Sequence, residues 1–425
     1  MSERLVNMTI RFFVGVWVVR YLGPENYGIY SYALSFAGLF VAFVTLGLDN
    51  IVVRNLSREG AEEGKILGTA LALRLGSAIL TMGVVAAIVL TVNDRWLTQL
   101  AVLIISGHLI FKAADVFDLW FQSQIKSKYP VRVRMASITL YCGGQVAFIL
   151  AGFPVLAFIA LYVVQILWQT GGTYVMYRWV RGDNRPQLYF DWGVGQRMLR
   201  DSWPLIFASL SIAVYMKIDQ VMLGQMSSEE AVGIYATAVK ISEMWYFIPG
   251  AIAKSVFPKI VSSKEGSSAD RYSSRMQALY DTVALISFVV IIPVVLSAHS
   301  VVGLLFGDAY AGSAPILVVH IWAFLFVSAG VVRGRWLVAE NLTRFAMVAS
   351  LLGATVNVGL NWFLIPVHDG LGAAWATLFS QIFATYISGL AFAPARMSFV
   401  QISKSIFVAF RIRSAINGLK SIVQG

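Results

Sequence analysis

Residues Arg20-Tyr21-Leu22-Gly23-Pro24-Glu25-Asn26-Tyr27-Gly28-Ile29-Tyr30 run into the apolar stretch Ser31–Leu48. Gly-Pro-Glu-Asn is turn chemistry, because glycine reaches dihedrals closed to other residues and proline fixes its own φ. With an apolar run on either side, this stretch predicts a tight hairpin between two helices. The pattern returns in the second half of the chain. Leu22-Gly23 has its counterpart in Leu223-Gly224, and Gly28-Ile29-Tyr30 in Gly233-Ile234-Tyr235, with a longer loop between them in the second copy. A second landmark agrees: Phe121-Gln122 through Arg134-Met135-Ala136-Ser137 matches Trp336-Leu337 through Met347-Val348-Ala349-Ser350 in kind. The chain therefore reads as two similar halves in tandem. Such repeats are a transporter signature, with the substrate path between the halves.

Composition sets the solvent. Of 425 residues, 58% are hydrophobic and only 13% charged, with a mean hydropathy of +0.72, whereas a soluble domain carries about 25% charged residues. Runs long enough to span a bilayer recur from end to end. They are apolar on all sides and must be helical, because lipid cannot satisfy open backbone groups. About twelve transmembrane helices are expected, near residues 5–21, 28–48, 66–92, 97–121, 135–152, 155–177, 203–223, 233–257, 277–298, 313–332, 345–366 and 371–394. Arg11 interrupts the first run and no small-residue cleavage site follows, so a retained helix is expected rather than a removed signal peptide. The single cysteine, Cys142, lies in a span, which leaves no disulfide framework and no Cys/His metal spacing.

The net charge of +11 is explained by placement. With the N-terminus cytoplasmic, the inside loops collect nearly all the loop cations, from Arg54, Arg58 and Lys65 through Arg134, Arg178 and Arg197 to Arg333 and Arg396. The outside loops hold only Arg20 and Arg95. This bias puts both termini in the cytoplasm and faces the basic loops to an anionic leaflet of membrane lipids. It leaves nothing for a nucleic-acid partner to explain. The expected organisation is a six-helix lobe at 1–177, a cytoplasmic linker at 178–201 with a short surface helix, a second six-helix lobe at 202–395, and a basic tail at 396–425. The tail is either an interfacial helix or frayed.

The opening motif, together with the run ending Leu46-Gly47-Leu48-Asp49, resembles the start of Wzx/RfbX-type polysaccharide flippases. Leu305-Phe306-Gly307-x-x-Tyr310-x-x-Ser313-Ala314-Pro315 resembles a second landmark of that family, which belongs to the multidrug/oligosaccharidyl-lipid/polysaccharide exporter superfamily. The resemblance covers nearly the whole chain. It implies a V-shaped transporter of two lobes that moves a polyprenyl-diphosphate-linked oligosaccharide for O-antigen, capsule or exopolysaccharide. It also implies work beside a polysaccharide polymerase and a chain-length regulator.

Ionisable residues inside a span are costly and usually face a wet interior. Arg11, Arg74 and Lys112 fall about 9–12 Å inside their spans, at 1.5 Å per residue. Arg4, Asn7 and Arg11 share a helix face. These cations suit a diphosphate, because guanidinium forks match phosphate oxygens. Snorkelling to headgroups is the alternative for Arg11 and Arg74, and a local pair with Asp115 the alternative for Lys112. Lys217 and Lys240 are expected to add to the cationic substrate cavity, and Asp115, Asp219 and Glu243 to serve gating or ion coupling; a static network of Lys217, Asp219, Lys240 and Glu243 is the alternative. Asn357 and Asn361, like Gln165 and Gln169, are spaced to bond sugar hydroxyls or a neighbouring helix. Pro249 and Pro293 lie inside spans as hinges or packing kinks.

No enzyme constellation is present. The four histidines (His108, His299, His320, His368) are scattered, and no glycine-rich loop precedes a Lys-Ser/Thr pair, so neither a metal, a cofactor nor ATP is implied. A membrane glycan polymerase or ligase would need a large outer loop, which the sequence lacks. A multidrug exporter would favour an acidic, aromatic cavity.

Overall fold

The computed structural model describes residues 2–262 and 269–408, with side chains from Ile10 onward. Arg4 and Asn7, and the tail beyond 408 with its Arg411, Arg413 and Lys420, therefore lie outside the described side chains. The described chain is helical throughout. In order it forms α1 (Ser2–Thr45), α2 (Asp49–Leu56), α3 (Glu63–Val92), α4 (Trp96–Ser106), α5 (His108–Ala113), α6 (Val116–Ser123), α7 (Lys128–Leu150), α8 (Val155–Arg181), α9 (Trp192–Met226), α10 (Glu229–Glu243), α11 (Phe247–Ser262), α12 (Ala269–Phe306), α13 (Ser313–His320), α14 (Ala323–Ala339), α15 (Thr343–Ile382), α16 (Ser388–Ala391) and α17 (Arg396–Ile406). Two compact units result, Met1–Gly233 and Ile234–Gly425.

Among the described residues, nine helical stretches are long and apolar enough to cross a membrane. Two of these are double. The 44 residues of α1 would reach about 66 Å at 1.5 Å each, twice a bilayer core. They are split at Gly23, whose φ of 71° and ψ of 170° leave the helix. Nothing lies within 4 Å of where its Cβ would be, so glycine is needed here for its dihedral and not for space. Pro24 follows, where a new helix tolerates a missing N–H. The 40 residues of α15 are split in the same way at Asp369 (φ 47°, ψ −131°). There the chain folds back closely: a Cβ on Gly372 would sit 2.3 Å from the Leu364 carbonyl oxygen. The span expected at 233–257 is the pair α10 and α11, interrupted at Met244–Tyr246, just before Pro249, whose ring excludes a helical carbonyl four residues back. Together these account for all twelve expected spans. Their outer faces are apolar and exposed, as at Leu80, Leu150, Leu296 and Phe363, which is the surface lipid requires.

In the first unit, Leu48, Val52, Leu67, Phe117, Trp120, Phe121, Tyr177 and Met198 form a core at the Lys/Arg-rich end. In the second, Tyr272, Met276, Leu279, Tyr280, Val332, Trp336, Leu337 and Ile402 do the same. The sequence landmarks Phe121 and Trp336 each sit inside the core of their own unit, buried.

The linker differs from expectation. Its residues 184–191 form no helix, and the helix at Trp192 continues without a break to Met226. It is also docked. Cβ atoms on Gly64 and Gly68 would lie 2.1 Å from the Gln187 carbonyl oxygen and 2.5 Å from the Tyr189 nitrogen, so these two glycines form a groove in α3 that the linker fills. The Asp191 N–H donates to Thr69 (3.0 Å) and the Tyr189 hydroxyl to Glu62 (2.7 Å). The Asp191 carboxylate caps α9 by accepting from the Val194 N–H at 2.7 Å. That bond and Lys65, 3.2 Å away, hold the carboxyl below its usual range. The start of the tail is likewise ordered: Gln401 on α17 donates to the Ser273 carbonyl and accepts from Gln277 through its own carbonyl, both at 3.1 Å.

Arg333, counted with the loop cations in the sequence, is instead buried within α14. The helix runs past it to Ala339. It donates to the carbonyls of Ala384 (2.7 Å) and Thr385 (2.8 Å) and to the Ser388 hydroxyl (3.0 Å). The two carbonyls lie in the π-turn Phe383–Ile387, and Ser388 follows it; a widened turn leaves carbonyls without their ordinary helical partners.

Candidate functional site

A polar cavity of about 510 Å³ opens in the first unit. It exists because two spans are interrupted at the same level. After α1, Leu46 (φ 52°) and Gly47 (φ 61°) both take left-handed dihedrals. At Gly47 a Cβ would also meet Ile206 N at 2.9 Å. This turn lifts Asp49 and Asn50 to the head of α2, at the cavity wall. The span from Trp96 to Ser123 breaks at Ala114–Asp115, which presents Lys112 and Asp115 on one side and Asp118 and Gln122 a turn further on. Arg134 from α7 and Gln169 with Thr173 from α8 complete the polar lining.

The charges in this lining are matched. Lys112 donates to Asp115 at 2.5 Å. Asp118 accepts from Gln122 at 2.9 Å and lies 3.8 Å from Arg134. Asp49, itself 58% exposed, is held from behind by Arg74 at 2.5 Å. Three carboxylates (Asp49, Asp115, Asp118) thus face two lining cations (Lys112, Arg134), so this cavity is not a cationic one.

Lys112 and Asp115 line the cavity as a pair, the local arrangement that their spacing allowed. Arg74 is fully buried, and its Nε and Nη1 have no hydrogen-bond partner; in this conformation it holds Asp49 and does not reach the cavity. Arg11 is exposed, and its charge lies near Tyr141, Cys142 and Tyr162. Lys217, half-buried, packs its stem against Gly38, and Asp219 is buried; both belong to the first unit. Lys240 and Glu243 are half-buried in the second. Asn357 and Asn361 are both fully buried, and Asn361 donates to Asn357 at 3.3 Å, so they bond to each other within α15 in this conformation. Gln169 lines the cavity, whereas Gln165 is buried.

Sequence reasoning missed Asp49, Asn50, Arg134 and Thr173 as lining residues. The usable signal was Arg74 itself. An arginine that deep with no carboxylate on its own helix needs one from the end of a neighbouring span, and Asp49 stands at such an end. At the opposite end of this unit, Glu229 pairs with Arg95 and accepts from Thr98 at 3.0 Å.

Among the described residues this is an all-helical, multi-span membrane protein. Its fold is shared with the lipid II flippase MurJ in an inward closed conformation (TM-score 0.75, 11% identity, 99% of this chain and 97% of that one). It is shared as well with an inward-facing multidrug resistance MATE family transporter (TM-score 0.70, 13% identity, 93% and 96%). The chain belongs to the polysaccharide biosynthesis protein family, whose model matches residues 1–264. Similar proteins include the probable low-salt glycan biosynthesis flippase Agl15 of Haloferax volcanii, 20% identical over 97% of this chain and 86% of that protein. Another is the capsular polysaccharide biosynthesis protein CapF of Staphylococcus aureus, 19% identical over 89% and 94%.

Proposed function

We propose that the protein is a flippase. It carries polyprenyl-diphosphate-linked oligosaccharide repeat units across the cytoplasmic membrane for polysaccharide biosynthesis (O-antigen, capsule or exopolysaccharide). The observation that carries this reading is the family match together with a flippase-named relative, Agl15, aligned over 97% of the chain. Both termini face the cytoplasm, and two six-helix lobes, 1–177 and 202–395, alternate access around the linker 178–201. The glycan head passes through the protein while the lipid tail stays in the bilayer. The diphosphate meets Arg11, exposed in the first unit; Lys217 and Lys240 are further substrate cations, and Asp219 and Glu243 serve gating or ion coupling. A polymerase and a chain-length regulator act on the exported units.

Multidrug export is the second reading, favoured by the carboxylates of the first-unit cavity and the MATE-like fold. Deleting the gene in its own host separates the two. A flippase deletion stockpiles lipid-linked glycan on the cytoplasmic face and loses surface polysaccharide. An exporter deletion leaves both unchanged and raises sensitivity to cationic drugs.

A further inference from the structure

We propose that the first-unit cavity receives the sugar portion of the transported lipid, that its natural occupant is an uncharged sugar, and that the diphosphate binds elsewhere. This rests on the flippase reading and narrows it.

A diphosphate needs cations free to pair with it, and in this cavity each cation already faces a carboxylate. Lys112 is bonded to Asp115 and Arg134 stands by Asp118, while Arg74 is shut behind Asp49. A phosphate entering here would have to displace a carboxylate from each cation and would still face Asp49. The same potential disfavours acidic sugars. What the walls do offer is a ring of groups that exchange hydrogen bonds with hydroxyls: carboxylates that accept, and the amides of Asn50, Gln122 and Gln169, which both donate and accept. They come from α2, α6 and α8, so they converge on an occupant from several sides. The volume of about 510 Å³ is in the range of small-ligand sites, ~300–1,000 Å³. Arg11, exposed and outside this lining, remains available to the phosphates.

The test uses the purified full-length protein and two probes: lipid-linked glycan extracted from the deletion strain, and polyprenyl diphosphate bearing no sugar. Binding of each is measured by native mass spectrometry for the wild type, Asn50→Ala, Gln169→Ala and Lys112→Gln. The two alanine variants remove exposed or half-buried amides and keep the lining charges, and gel filtration confirms their fold. They are expected to weaken the glycan-bearing lipid about tenfold, the worth of one or two hydrogen bonds, and to leave the bare lipid within about twofold. Lys112→Gln is expected to leave the bare lipid unchanged. If the alanine variants weaken both probes equally, or Lys112→Gln abolishes binding of the bare lipid, the cavity is a diphosphate site and the inference is wrong. It is equally wrong if neither probe responds to any variant. Failure of the flippase reading has a different signature: the wild type itself binds neither probe.

Discussion

Gly28→Ala and Gly233→Ala are each expected to unfold this protein at a markedly lower temperature than the wild type. A Cβ on Gly28 would lie 1.7 Å from the Glu229 carbonyl oxygen, and one on Gly233 would lie 1.9 Å from that of Pro24. Each glycine is thus pressed against the backbone four residues before the other, and backbone cannot swing aside as a side chain does. The helices would have to separate, loosening the Thr98–Glu229 hydrogen bond nearby. Overpacking typically costs 1–3 kcal/mol, and with backbone on both sides about 3 kcal/mol is expected here, roughly a fall of 5 °C or more. Gly76→Ala is the control: nothing lies within 4 Å of its Cβ position, and the helix gains slightly from losing a glycine. Thermal unfolding followed by gel filtration in detergent reads all three. Unchanged midpoints for Gly28→Ala and Gly233→Ala would refute the close crossing.

The second large effect is asymmetric. Asp49→Ala leaves the Arg74 guanidinium buried with no carboxylate, and an uncompensated buried charge costs about 3–5 kcal/mol. Arg74→Met removes the charge and keeps most of the volume, while Asp49, already 58% exposed, returns to solvent. The arginine variant is therefore expected to retain far more stability than the aspartate variant. The opposite order in the same unfolding experiment would mean that Arg74 is not held as a buried pair. The comparison also bears on function. Arg74 reads from the sequence as a ligand for phosphate, yet in this conformation it fixes the turn that brings Asp49 and Asn50 to the cavity.

These two cases mark what the sequence makes legible. The membrane spans follow from hydropathy, because lipid leaves a segment no choice but a helix. The repeat was visible in Gly28-Ile29-Tyr30 and Gly233-Ile234-Tyr235, and the structure gives the reason for its glycines: Gly28 and Gly233, both in the first unit, each lie against the backbone beside the other. The ion pairs were legible only where both partners lie within a turn of each other in one span of the sequence, as with Lys112 and Asp115. Arg74 with Asp49, Arg54 with Asp201, Arg181 with Glu63 and Arg95 with Glu229 join residues far apart in the chain, and helical periodicity carries no information about such partners. Arg333 was misread for a related reason. Its compensation comes from backbone carbonyls of a π-turn, which no side-chain pattern announces. Cation counting along the spans therefore overstated the positive charge available to a substrate, because it could not see which cations were already engaged.

The central claim is that this chain moves a lipid-linked glycan from one leaflet to the other. The most direct measurement is reconstitution of the purified protein into vesicles loaded with extracted polyprenyl-diphosphate-linked glycan, followed by the fraction of glycan reached by an impermeant glycosidase added outside. The flippase account predicts that protein-containing vesicles expose nearly the whole pool, while protein-free vesicles expose only the outer half. Equal exposure in both, from vesicles in which the protein is folded, would contradict it.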